Sequence, residues 1–112
     1  MSSILLSALR ANEILQANAS SNVANMNTPE YKAIQTTIVP SIDDSVDVTT
    51  TSSDDPAPLD TEGRTGSNVD VTKDITDMMQ AKTGFEAALS AISVREGMLD
   101  DLMTLLTRER PQ

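Results

Sequence analysis

Apolar positions in the last third of the chain alternate by steps of four and three. The steps fall on Val71, Ile75, Met78, Lys82, Phe85, Leu89, Ile92, Glu96, Leu99, Met103 and Leu106, and all but Lys82 and Glu96 are apolar. A repeat of this kind, held over about five heptads, predicts a long helix with a coiled-coil seam. Asp70 or Thr72 is placed to cap its start, and Asp74 sets negative charge in its first turn, where the helix dipole favours it. Arg108 and Arg110 suit the far end, and Pro111 stops the winding. Lys82, inside the seam, is expected to extend its head to water or to pair with Glu86 one turn on. Gly84 and Gly97, each costing about 1 kcal/mol against alanine in a helix, join Ala81, Ala87, Ala88 and Ala91 in leaving room for a second backbone.

Residues from about 3 to 27 are helical in pattern too, but less regular. Their apolar stripe runs through Ile4, Leu5, Ala8, Leu9, Ala11, Leu15, Ala19, Val23 and Met26, and from Ala11 it advances by fours, so it drifts around the helix. The polar side holds Asn12, Asn18, Ser20, Ser21, Asn22 and Asn25. Asparagine and serine compete for backbone groups and are mediocre helix formers, so amides at this density point to hydrogen bonding with neighbouring protein. Pro29 ends the helix near Met26 or Asn27.

Between the two helical patterns the periodicity fails. Of the 32 residues from 36 to 67, 21 are Ser, Thr, Asp or Pro. Such a stretch buries little apolar surface and is expected to be extended or disordered, with a small ribbon permitted at Thr36–Val39 and Val46–Val48. The fold predicted is therefore mainly α. Two long helices, in segments 1–28 and 68–112, pair as an antiparallel coiled-coil hairpin, and a turn and Ser/Thr/Asp-rich insert at 29–67 is short, extended, β or disordered. At 1.5 Å per residue, helices of about 25 and 37 residues differ by roughly 18 Å in length. The seam residues Leu99, Met103 and Leu106 fall in that overhang, where a lone hairpin would leave them wet, which argues for partners in an assembly.

Composition narrows the chemistry. The 112 residues include no Cys, His or Trp, one Tyr and one Phe. Disulfides, thiolate nucleophiles, imidazole bases and Cys/His metal sites are excluded, so the expectation is no enzyme, no cofactor and no metal. Asp43–Asp44 and Asp54–Asp55 lack the spacing of a calcium loop and are expected to be solvated. The net charge of −9 disfavours nucleic acid, and residues 36–67 alone carry seven acids (Asp43, Asp44, Asp47, Asp54, Asp55, Asp60 and Glu62) against Arg64. No run approaches the roughly 20 apolar residues of a membrane span, and MSSILLSAL lacks the basic start and cleavage site of a secretory signal.

At residues 20–32 the chain reads SSNVANMNTPEYK. Asn22, Ala24, Asn25, Asn27, Thr28, Pro29, Tyr31 and Lys32 resemble, position by position, the signature of the bacterial flagellar axial proteins, the rod and hook family of the basal body. The block Ser67-Asn68-Val69-Asp70-Val71, then Asp74, Met78 and Met79, Ala81, Phe85, Glu86 and Ala87, and finally Met98, Leu99 and Leu102, resembles the family's C-terminal signature. Glu30 stands where members have Gly, so the turn after Pro29 is expected to avoid positive φ and to be type I. Lys82, Thr83 and Ala88 replace the family's common Gln, Arg and Asn. The short middle region is similar to that of small rod-type members.

The resemblance implies a structural subunit of the flagellar rod, the periplasm-spanning driveshaft. Such a subunit is exported by the flagellar type III apparatus without a cleaved signal, polymerises through its terminal helices with itself and other axial subunits, and transmits torque. It implies an assembly motif at Asn22, Ala24, Asn25, Asn27, Thr28, Pro29, Tyr31 and Lys32, with Asn22 and Asn25 reaching neighbouring subunits. It also implies an assembly seam at Val71, Ile75, Met78, Phe85, Leu89, Ile92, Leu99, Met103 and Leu106. The competing class is a soluble coiled-coil adaptor or chaperone that binds one partner helix in that seam.

Overall fold

The computed structural model describes residues 3–59 and 62–109. Helix α1 spans Ser3–Ala24, strand β1 Ile34–Pro40, strand β2 Val46–Ser52 and helix α2 Val71–Glu109. The molecule is long and thin, 84 × 25 × 14 Å.

The architecture corrects the expected coiled-coil hairpin with its short extended, β or disordered insert. An antiparallel two-stranded β-hairpin stands between the helices in sequence, in register from Ile34 opposite Ser52 to Pro40 opposite Val46. The acidic composition conceals a period of two. Ile34, Thr36 and Ile38 on β1, with Val46 and Val48 on β2, are half-buried, while Gln35, Thr37, Asp47 and Thr49 point out to solvent. One face is therefore apolar enough to dock and the other stays soluble. The tip is closed by the Ser41 amide donating to the Ser45 carbonyl at 2.9 Å, by Asp44 at φ 59°, and by the Ser45 hydroxyl donating to the Asp43 carboxylate. That last bond holds the Asp43 carboxyl below its usual range.

The hairpin docks on α1, and the asparagine- and serine-rich face is what receives it. Ser7 Oγ accepts the Val46 amide at 2.9 Å, Asn18 Nδ2 donates to Thr36 Oγ1 at 2.9 Å, and Asn22 bonds both backbone groups of Ile34. The neighbour that Asn18 and Asn22 meet is the chain's own ribbon, while Asn12 and Asn25 donate to the Ala8 and Ser21 carbonyls of their own helix.

Helix α2 runs antiparallel to α1 along another face, Asn12 lying against Gly84 and Asn22 against Asp74. The contact is not the predicted seam. Ala11, Leu15 and Ala19 of α1 are buried, and on α2 the buried positions are Asp74, Ala81 and Ala88. Met78, Phe85 and Ile92 flank them half-buried, whereas Ile75, Leu89, Leu99, Met103 and Leu106 are exposed. The contact line keeps every second seam position and moves the others back by one residue, onto small side chains. The reason is close approach: a Cβ on Gly84 would sit 2.6 Å from Asn12 Oδ1, so the backbones come together where α2 has Ala or Gly. The larger apolar side chains are turned to the outside.

Asp70 is the residue that caps α2, its Oδ1 accepting the Lys73 amide at 3.2 Å. Lys82 and Glu86 are exposed, and the ion pair formed on this helix links Lys73 to Asp77 at 2.8 Å. Gly97 meets open space. Asp60, Arg110 and Pro111 lie outside the described residues.

The packing sets a first expected outcome. Ala81 is 1% exposed. Ala81→Leu should lower the unfolding free energy by about 1–3 kcal/mol through overpacking, read from chemical denaturation. Leucine at the neighbouring exposed Lys82 should leave stability nearly unchanged.

Candidate functional site

The last turn of α1 places Asn22 where the two helices and the ribbon meet. It is 1% exposed, and its side chain makes four hydrogen bonds. Oδ1 accepts the Ile34 amide at 2.8 Å and the Tyr31 hydroxyl at 3.1 Å. Nδ2 donates to the Ile34 carbonyl at 2.8 Å and to Asp74 Oδ1 at 2.9 Å. A carboxamide has two donors and two lone pairs, so this one is saturated. Toward Ile34 it behaves as a neighbouring strand would, meeting both N–H and C=O. Aspartate would lack the donors and would face Asp74 with like charge.

Asp74, in the first turn of α2, is 4% exposed. Burial pushes its carboxyl above the usual aspartate value, while the Asn22 amide, Lys73 and the neighbouring Asp77 and Asp70 act more weakly, the first two opposing the rise.

A second junction lies beside the first. Asn68 Oδ1 accepts the Ala33 amide at 2.6 Å, and Nδ2 donates to the carbonyls of Ser53 and Asp55 at 3.0 and 3.1 Å. The Asn68 amide donates to the Tyr31 carbonyl at 3.2 Å, and the Glu30 amide to the Thr65 carbonyl at 3.0 Å. Buried Ser53 and Ser67 turn their hydroxyls to accept the amides of Asp55 and Val69. Segments 20–32 and 65–74, far apart in sequence, thus close on one another.

The motif residues divide by role. Asn22 and Tyr31 form the junction. Asn25 folds back on its own helix, donating to the Ser21 carbonyl at 2.8 Å and accepting from Thr28 Oγ1 at 3.0 Å, which closes the end of α1. Ala24, Asn27, Thr28 and Pro29 are exposed around the turn, and exposed Lys32 pairs with Asp54 at 3.4 Å, a contact worth little in water. The amides of Asn22 and Asn25, expected to reach other subunits, are spent within the chain. Glu30 has φ 61°, so the positive-φ turn is made after all, with a residue that carries a Cβ. The Glu30 amide donating to the Thr65 carbonyl and the Tyr31 carbonyl accepting from the Asn68 amide hold it there. Of the seam residues, Val71, Met78, Phe85 and Ile92 lie along the helix pair and the other five are exposed.

Asn68, Ser53 and Ser67 belong to the junction without having been singled out as site residues. Asn68 and Ser67 carried a signal, since both sit in the Ser-Asn-Val-Asp block that opens α2. Ser53 carried none, lying in a run of Thr and Ser.

Among the described residues no group of His, Cys, Asp or Glu is arranged to hold a metal, and no helix is long and apolar enough to cross a membrane. Saturated amides offer no nucleophile and no proton to transfer; they fix angles. A polar joint that clamps two helices and a ribbon, with apolar helix faces left uncovered, defines a scaffold protein whose working parts are its surfaces. Residues 4–32 match the family described as flagella basal body rod protein, and residues 65–105 match that described as flagellar basal body rod FlgEFG protein C-terminal. The two matches cover more than half of the chain, and each contributes one side of the Asn22–Asp74 contact. The chain belongs to the flagellar basal-body rod protein family, a structural family of the basal body in which rod and axial subunits are one another's partners. A search of curated proteins finds no match to this chain.

Two outcomes follow from the junction. Asn22→Ala leaves both backbone groups of Ile34 and the Asp74 carboxylate without this partner, and should cost about 2–4 kcal/mol in denaturation experiments. Asn22→Asp should cost at least as much at pH 7. For Asp74, a folded-state pKa above the unfolded one means that the native state binds the proton more tightly. Its charged form therefore destabilises the fold at neutral pH, and stability should rise as pH falls through the folded pKa toward the unfolded value near 3.8. Unfolding followed between pH 7 and 4 should show a smaller rise in Asp74→Asn than in the unsubstituted chain.

Proposed function

We propose that this chain is a subunit of the flagellar rod that polymerises through its terminal helices and carries torque, reaching the rod through the flagellar type III export apparatus. The observation that carries the reading is the exposed length of α2. With Asn12 opposite Gly84, the start of α1 lies opposite about residue 93, and the remaining 16 or so residues of α2 extend roughly 24 Å beyond it. Within that length Leu99, Met103 and Leu106 are 50%, 64% and 59% exposed. Leu99 and Leu106 continue the α1-facing side of the helix, with Met103 beside them, so an axial neighbour takes over where α1 ends. Burying each of them is worth about 1.5–3 kcal/mol, more than the small core of Ala11, Ala19, Ala81 and Ala88 supplies per residue.

The thin core also suits export. An alanine-lined contact and a two-stranded ribbon leave little structure to undo on the way through a narrow channel. Within the rod the motif works by fixing the angle between the helices and the ribbon, and the exposed faces make the contacts between copies.

At high concentration the purified chain should form ordered filaments that pellet on centrifugation. Replacing Leu99, Met103 and Leu106 together with serine should abolish pelleting and, in cells lacking the native gene, motility, while far-ultraviolet circular dichroism stays helical. A discrete dimer of the unsubstituted chain at every concentration would overturn the reading.

A further inference from the structure

Two apolar features of α2 remain unaccounted for. The first is a groove of about 680 Å³ between the helices, with Ile75, Met79, Lys82 and Phe85 on one wall and Glu13 and Gln16 on the other. Ser7, Asn18 and Asn22, which bind the hairpin, lie on a different side of α1 from Glu13 and Gln16, so the ribbon leaves the groove open. The second is a stripe on the overhang through Val94, Met98, Leu102 and Leu105, each more than half exposed, flanked by Asp101. It borders the line of Leu99, Met103 and Leu106, with Leu99 on the edge of both.

Helix geometry decides how the two can be used. At 3.6 residues per turn, the groove wall and the stripe face directions about 160° apart around α2. A closed two-fold dimer pairs one face with the same face of its partner. Complementary patches on opposite sides of one helix instead make a head-to-tail contact that leaves a free patch at each end. Equivalent copies in such a polar array run in the same direction. The stripe is centred near residue 98 and the α2 wall of the groove near residue 80, a stagger of roughly 18–20 residues, or about 27–30 Å. At that stagger Asp101 of one copy comes level with Lys82 of the next, and Arg108 lies within side-chain reach of Glu86. The charges are of opposite sign at both places.

We infer that the groove receives the Val94–Leu105 stripe of a second copy of this chain, staggered by about 19 residues, with Asp101 set against Lys82. The inference rests on the polymerising role proposed above and names the contact that serves it.

The chain has no cysteine, so a disulfide trap is clean. Within one copy, positions 82 and 101 lie about 28 Å apart along a single helix, far beyond disulfide reach, so a Lys82→Cys/Asp101→Cys chain can cross-link only between copies. Both positions are exposed. Oxidised under conditions that pellet the Cys-free chain, it should give a reducible ladder extending past the dimer. Asp47→Cys/Asp101→Cys, which uses the outer face of the ribbon, should give none. A product that stops at the dimer overturns the inference, because the contact is then closed. A yield no greater than that of the Asp47 control also overturns it. Filaments of the Cys-free chain in the electron microscope separate the two readings: if they form without the cross-link, only the groove contact fails, and if none form, the polymerising role fails with it.

Discussion

Everything in this structure is referred to one side chain. The Asn22 carboxamide binds the first residue of the ribbon through both of its backbone groups, the tyrosine that follows the turn, and the aspartate that opens α2. Because all of its bonding capacity is used in directions fixed by a planar group, it sets the positions of three elements at once. Apolar contacts cannot do this, since hydrophobic burial has no preferred direction. The cost is a desolvated carboxylate at Asp74, held in a helix first turn where the N-terminal dipole partly compensates it.

The packing around that joint follows from how near the helices come. Close approach requires Ala and Gly at the contact, so Ala81, Gly84 and Ala88 face Ala11, Leu15 and Ala19. Once small residues occupy the interface, the larger apolar side chains of α2 have nowhere to go but its flanks and its free end. The thin core and the exposed stripes are one decision seen from two sides. A helix pair stapled by polar groups and lined with alanine can keep its shape while reserving its hydrophobic surface for other chains.

The same logic explains what could be read from the sequence. Both helical stretches show in the spacing of apolar residues, because 3.6-residue periodicity survives any choice of partner. Which face is buried does not show in that way. A reading weighted by hydrophobicity picks Ile75, Leu89 and Leu99, whereas the contact is decided by the smallness of Ala81 and Ala88. The ribbon is permitted but not predicted, because composition weighs against it: three aspartates and a run of threonines suggest a solvated segment, and the half-buried Ile34, Thr36, Ile38, Val46 and Val48 are too short an alternation to outweigh them. Of the α1 amides, Asn18 and Asn22 do meet a neighbouring surface and Asn12 and Asn25 do not, but sequence gives no means of telling another subunit from the next forty residues of the same chain. Glu30 shows a related limit. A local rule disfavours positive φ at a residue with a Cβ, and tertiary hydrogen bonds from both sides of the turn override it.

The placement of charge completes the argument. Six of the nine net negative charges come from residues 36–67. Asp43, Asp44 and Asp47 are exposed on the ribbon, which docks on a different side of α1 from the groove, and Asp54 and Asp55 are exposed at the junction. The groove and the stripe themselves carry mixed signs, with Glu13, Lys82 and Glu86 at one and Arg95 and Asp101 at the other. Repulsion between like-charged copies falls off within about 8 Å at physiological salt. Charge carried on the ribbon therefore opposes contact along α2 only weakly. The chain can thus be strongly acidic overall and still present, along α2, a groove and a stripe of mixed charge, which the proposed contact between copies would use.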